Sequence, residues 1–177
     1  MRSTGEVMGI DPDLGVAFAK AKLGSFLKLP AKGAIFISVK DADKRAAIEI
    51  ARRLDTLGYD IVSTAGTHKL LERSGVRCRK VFKIADGARP NVLDIVKNRE
   101  IVMILNTPSG RGPRTDEGRI RGVAAQSNIP CITTMSGANA MVRALEAYRA
   151  HAIQPRPLQE YLAQVKAAQA AAAPIAP

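Results

Sequence analysis

Residues 63–71 read STAGTHKLL, and the way this stretch joins its neighbours decides the fold. Upstream lies YDIV (59–62), of strand length; downstream, a run with helical apolar spacing is stopped by Gly75. A tight Thr-Ala-Gly-Thr turn is therefore expected between a strand and a helix. The same junction recurs on either side. AIFISV (34–39) reads as a strand, and Ala47, Ile50, Ala51, Leu54 and Leu57 recur at the spacing of a buried helical face that Gly58 stops. After Gly75 come a strand at VFKI (81–84), a helix through Val92, Ile95 and Val96, and a strand IVMIL ending at Asn106. The loop NTPSGRGPRTDEG (106–118) leads to a helix through Ile120, Val123 and Ala124, a short strand PCIT, and a helix over about 138–150. Short apolar strands alternating with helices predict one α/β domain, a mostly parallel sheet covered on both faces with right-handed crossovers.

Bulk composition agrees. A chain of 177 residues suits one domain plus tails. Its 46% hydrophobic content with 4% aromatics and no Trp describes an aliphatic core. Cys78 and Cys131 stand far apart and form neither a disulfide framework nor a zinc pattern, so a reducing, cytoplasmic setting is expected. No signal segment and no apolar run of about 18 residues is seen, which argues against secretion and membrane spanning. The formal charge of +11 raises nucleic acid as a partner. However, the basic residues are dispersed, stacking aromatics are few and no nucleic-acid motif is present. A basic domain that binds small anions, or a fragment cut from a larger assembly, explains the excess equally well.

In such a sheet, ligands sit beyond the carboxyl ends of the strands. That expectation gathers four loops: SVKDADK (38–44), STAGTH (63–68), NTPSGR (106–111) and TTMSGAN (133–139). Their Ser, Thr, Asn, Gly and Lys donate to phosphate without filling the space it needs. Gly66 permits close backbone approach, Thr64 and Thr67 offer hydroxyls, and the helix that follows presents unpaired amides. Thr67 as a plain helix cap is the competing explanation of TAGT. Lys44 and Lys83, near neighbouring strand ends, favour phosphate.

Together, MRSTGEVMG (1–9), FAKAKLG (18–24), SVKDADK, STAGT, NTPSG, DEGRIRG (116–122) and TTMSGANAM (133–141) resemble, in order and spacing, the carboxyl-terminal region of carbamoyl phosphate synthetase large subunits. STGEVMG is similar to the end of that subunit's second ATP-grasp unit, and the remainder to its methylglyoxal synthase-like regulatory domain. The resemblance implies an excised fragment with three parts. Residues 1–30 would be the end of the ATP-grasp unit and a connector, 31–152 the regulatory domain, and 153–177 a terminal amphipathic helix with a disordered Ala/Pro-rich tail. It implies a Rossmann-like five-stranded sheet and an allosteric site for UMP, with IMP nearby. The implied effector residues are Lys44, Thr64, Gly66, Thr67, Lys83, Asn106, Thr107, Ser109 and Arg111, and Thr133 matches part of an ornithine site. Family members that respond to N-acetylglutamate lose the TAGT pattern. The resemblance further implies ATP with Mg2+ or Mn2+ in the full subunit, none in this region, and as partners the preceding ATP-grasp domain and a small glutaminase subunit. Pro108 replaces a nucleotide-contacting threonine of some relatives and donates no hydrogen bond, which implies weaker UMP affinity. Gly122 replaces an arginine of the commoner IRR.

Two enzymes share the expected fold. Methylglyoxal synthase needs a carboxylate base and a histidine. Here Arg89, Pro90 and Asn91 stand where its aspartate belongs, and Asp86, Asp94 and Asp116 are read as caps or ion-pair partners. His68 and His151 are read as surface or capping residues. IMP cyclohydrolase shares SVKDADK and STAGT but continues into a GRVKTLHP-like stretch absent here. A non-catalytic docking scaffold is the third alternative.

Overall fold

The structure, a computed structural model, describes residues 2–3, 6–25, 29–108, 116–150 and 153–172. At the amino end β1 (Arg2–Ser3) and β2 (Glu6–Val7) pair antiparallel, and α1 (Leu14–Gly24) follows. Alternation then begins: β3 (Ala34–Ser38), α2 (Lys44–Thr56), β4 (Asp60–Thr64), α3 (Ala65–Arg73), β5 (Arg79–Val81) and α4 (Val92–Lys97). It continues through β6 (Ile101–Asn106), α5 (Asp116–Gln126), β7 (Cys131–Ile132) and α6 (Met135–Ala150), with α7 (Leu158–Ala172) last. Strands β3 to β7 form one parallel sheet in the order β5-β4-β3-β6-β7. The chain thus works outward from β3 to one edge, then returns to the other side of β3.

The two-residue period of each strand divides the core. Ile35, Ile37, Ile61, Met103 and Leu105 face one way, against Ala19 of α1, Leu54 of α2, Leu71 of α3 and Leu145 of α6. Phe36, Val62, Val81 and Ile104 face the other, against Val92 and Ile95 of α4 and Ile120 and Ala124 of α5. Both faces are dry, which is why these strands read as nearly unbroken aliphatic runs.

Two local expectations need correction. There is no Thr-Ala-Gly-Thr turn: β4 ends at Thr64 and α3 begins at Ala65, with nothing between. The third strand is not VFKI but Arg79–Val81, two residues earlier. The second correction follows from the first. Thr64 pairs with Val81, and beyond that point β4 has become a helix, so residues 82–84 have no neighbouring strand to bond. Phe82 keeps an isolated bridge to Asn91, and the chain turns through a 3-10 turn at Ile84–Asp86 that Gly87 closes at φ 66°.

Helix α1 starts where Asp13 caps it, its Oδ1 accepting from the Val16 amide at 2.8 Å. It lies close on α6: a Cβ on Gly15 would stand 2.6 Å from the Arg143 carbonyl oxygen. Lys20 donates to Asp11 at 2.8 Å and to the Tyr161 hydroxyl, joining α1 to the segment before it and to α7. Arg53 grips the Glu146 carboxylate with two hydrogen bonds of 2.8 and 2.6 Å, tying α2 to α6. Helix α7 runs on to Ala172, into the alanines expected to be tail, as the helix propensity of alanine favours. Residues 173–177 and His151 lie outside the described residues. Among the described residues, no helix is long and apolar enough to cross a membrane.

Candidate anion-binding site

The strand order reverses at β3, and the crevice this opens at the carboxyl ends of the strands is the expected ligand position. A cavity of about 380 Å³ lies there, within the small-ligand range of roughly 300–1,000 Å³. Lys44, Thr64, Gly66, Thr67, Lys83, Asn106 and Thr107 all line it. They come from four different strand ends, so the sheet brings together residues up to 63 positions apart, Lys44 to Thr107.

The threonines brace the loop after β3. Thr67 Oγ1 accepts from the Val39 amide at 3.5 Å, and Thr107 Oγ1 accepts from the Lys40 amide at 3.1 Å. Thr64 Oγ1 lies 3.1 Å from Ser38 Oγ. Because Thr67 and Thr107 accept in these bonds, each retains its own O–H to donate. Thr67 is not the cap of α3. That position belongs to Thr64, in extended conformation, whose side chain makes no capping hydrogen bond. The first amides of α3 are therefore not capped by a side chain, and they carry the positive end of the helix dipole.

Gly66 stands in the first turn of α3 under Lys44: a Cβ there would come within 3.6 Å of Lys44 Nζ. Lys44 Nζ lies 2.6 Å from Asp41 Oδ1. The Asp41 carboxyl is held below its ordinary value of 3.8, first by the hydrogen bond from Lys44, then by the charge of Lys44, with Lys83 adding to it. Asn106, at the end of β6, is 2% exposed, and its Nδ2 finds no partner among the described residues. A buried amide donor without an acceptor is costly, so it marks a place where a ligand oxygen fits. Ile84, Val92 and Ile120 supply apolar wall.

Lining residues not singled out from the sequence as site residues are Ser38 and Lys40, within the expected SVKDADK loop, and Ile84, Ala85 and Asp116, outside the four expected loops. The acid pair DE (116–117) opening α5 was the available signal for Asp116, whose Oδ2 accepts from the Ala85 amide at 3.2 Å. Conversely, TTMSGAN does not line the cavity, and Thr133 is not among the lining residues. β7 lies beyond β6, away from β4 and β5, and Thr134 instead accepts from the Gly137 amide at the start of α6. Ser109 and Arg111 lie outside the described residues.

The carboxylates Asp86 and Asp94, weighed above as candidate bases, are engaged locally. Asp86 accepts from the Lys83 amide at 3.0 Å, and Asp94 accepts from the Asn91 amide at 2.9 Å and pairs with Arg89 at 3.0 Å. His68 is turned toward Glu72, at 3.8 Å, and does not line the cavity. Among the described residues, no group of three or more His, Cys, Asp or Glu could hold a metal ion.

Fold and site together define a parallel α/β domain with a small-ligand cavity at its switch point. Residues 46–133 match the family model described as the MGS-like domain. The chain belongs to this family and is homologous to the carboxyl-terminal MGS-like domain of carbamoyl phosphate synthase large chains. It is 44% identical over 164 residues to the carbamoyl phosphate synthase large chain of Rhodopirellula baltica, covering 93% of this chain and 15% of that protein. It is likewise 44% identical over 149 residues to the C-terminal section of that large chain in Aquifex aeolicus, covering 84% of this chain and 28% of that protein. The chain thus spans about 15% of the length of full large chains it matches. Methylglyoxal synthase from Elizabethkingia anophelis shares the fold, with a TM-score of 0.53 at 16% identity over 72% of this chain and 96% of that one.

Proposed function

We propose that the cavity binds a nucleoside monophosphate, UMP or IMP, as an allosteric effector. On this reading its occupancy regulates ATP-dependent, glutamine-hydrolysing carbamoyl phosphate synthesis, in the cytoplasm, for pyrimidine and arginine formation. The observation that carries the reading is the convergence, on one cavity of about 380 Å³, of three lysines, three threonine hydroxyls and the uncapped start of α3. A phosphate suits that end, since helix N-termini with nearby cations hold anions. The Asn106 amide suits a ligand carbonyl or phosphate oxygen, the Ile84, Val92 and Ile120 wall a base, and Asp116 a ribose hydroxyl. The engagement of Asp86 and Asp94 as local caps supports a binding role over methylglyoxal synthase chemistry. ATP with Mg2+ or Mn2+, the preceding ATP-grasp domain and a glutaminase subunit belong on this reading to the longer protein, and ornithine would meet Thr133 at a domain border.

Calorimetric titration of this chain with UMP, IMP, ornithine and N-acetylglutamate tests the proposal. Saturable binding of UMP or IMP is expected, weakened about ten- to a hundredfold by Lys44→Ala, the scale of a charged hydrogen bond. Absence of nucleotide binding by the folded wild-type chain, or affinity unchanged in Lys44→Ala, overturns it.

A further inference from the structure

The cation best placed to hold a phosphate in this cavity already holds an anion. Lys44 Nζ lies 2.6 Å from Asp41 Oδ1, while Lys44 itself stands over Gly66 in the first turn of α3. Asp41 also lines the cavity, yet its side chain is 92% exposed. The two residues sit three positions apart, across the 3-10 turn Asp41–Asp43 that leads into α2. An ammonium has three donors but one charge, and a phosphate brought to Gly66 must share or take that charge from a carboxylate tethered beside it.

We infer that Asp41 is a built-in competitor for the anion, an affinity-setting residue that occupies Lys44 in the empty site and must yield it when a phosphate enters. The inference rests on the cavity being an anion site. A carboxylate so tethered never leaves the vicinity, so it multiplies the apparent affinity of every Lys44 ligand by the fraction of molecules in which the lysine is free. It also repels an incoming phosphate directly, by like charge at short range. The consequence is a threshold. Inorganic phosphate, with only the phosphate contacts, is held weakly, while a ligand that also engages the Asn106 amide and the apolar wall binds despite the competitor.

The neighbouring residues make this separable from a general charge effect. Asp43 is a second acid in the same turn, but it does not line the cavity and pairs, at 3.9 Å, with the lining residue Lys40 rather than with Lys44. An exposed ion pair is weakly populated over its open form, so the gain on removing Asp41, competition and repulsion combined, is about three- to tenfold in dissociation constant. Asp41 lies on the surface and its loss leaves the core untouched.

The experiment titrates this chain calorimetrically with inorganic phosphate and with UMP, comparing wild type, Asp41→Asn, Asp43→Asn, and both Lys44→Ala and the Asp41→Asn/Lys44→Ala double variant. Asp41→Asn is expected to bind both probes about three- to tenfold more tightly. Asp43→Asn, which leaves the Asp41–Lys44 pair intact, is expected to gain less than Asp41→Asn, and the Asp41→Asn gain to shrink to its repulsive part when Lys44 is alanine. Weaker binding by Asp41→Asn would make Asp41 a residue that positions Lys44 and overturn the inference. Equal binding, an equal gain from Asp43→Asn, or a gain undiminished without Lys44 also overturns it. If neither wild type nor Asp41→Asn binds either probe, the anion-site reading falls and this inference with it, a pattern distinct from the others.

Discussion

The buried amide of Asn106 puts the site reading at risk in a way that a surface lysine does not. Asn106 is 2% exposed and its Nδ2 has no acceptor among the described residues. A buried donor left unpaired costs about 1–3 kcal/mol, and an apolar group of the same shape removes that cost. Leucine has the same branched arrangement of heavy atoms, and the adjoining cavity of about 380 Å³ gives its methyl groups room. Asn106→Leu should therefore raise the unfolding free energy of the empty protein by about 1–3 kcal/mol. For a chain of this size each kcal/mol moves the melting temperature by about 2–4 °C, so a rise of roughly 2–12 °C is expected. The same substitution removes a donor from the site, so UMP affinity should fall about tenfold or more. Thermal melts without ligand and calorimetric titration with UMP read the two effects separately. Asn106→Asp serves as the contrast: it keeps the shape, adds a buried negative charge, and should lower both stability and affinity. A leucine variant that melts several degrees below wild type would refute the reasoning, because the amide would then have a partner within the folded chain. Unchanged UMP affinity would show that the donor does not face the ligand.

In the full-length large chain, Thr67→Ala or Lys83→Ala should leave unstimulated carbamoyl phosphate synthesis near normal while reducing the response to UMP, since coupling between sites requires the effector's own contacts; an equal UMP response in wild type and both variants removes these residues from the effector site. The Glu146 carboxyl is held below its ordinary 4.5, chiefly by the hydrogen bond from Arg53. A depressed folded value means the contribution is present above pH 4.5 and lost as pH falls through the folded value. Because Glu146 is 39% exposed, solvent screening keeps it under about 1 kcal/mol. Glu146→Gln should narrow the gap in urea midpoint between pH 6 and pH 3, and a gap as wide as wild type contradicts this. Gly15→Ala places a methyl 2.6 Å from the Arg143 carbonyl oxygen and should cost about 1–3 kcal/mol by forcing α1 off α6. A urea midpoint equal to wild type would show that α1 does not rest on α6 in solution.

Much of this protein is decided locally, and that part is legible in the residues. Ile35, Phe36 and Ile37 read as a strand because both of its faces are covered, and Ala47, Ile50, Ala51 and Leu54 read as a helix because one stripe alone is buried. Gly58 and Gly75 mark helix ends because each takes a positive φ, 77° and 76°, that other residues adopt only at a cost. The chemistry of the strand-end loops was equally visible, down to Lys44, Thr67 and Asn106. The tertiary structure decided the rest, because it depends on partners that no local pattern specifies. Where β5 ends is set by where β4 stops being a strand, at Thr64. Which loops share the cavity is set by the order β5-β4-β3-β6-β7, which brings in Ala85 and Asp116 and leaves out TTMSGAN. That Lys44 is held by Asp41 while the Asn106 amide goes without a partner among the described residues depends on distances between side chains, and those exist only once the sheet has assembled.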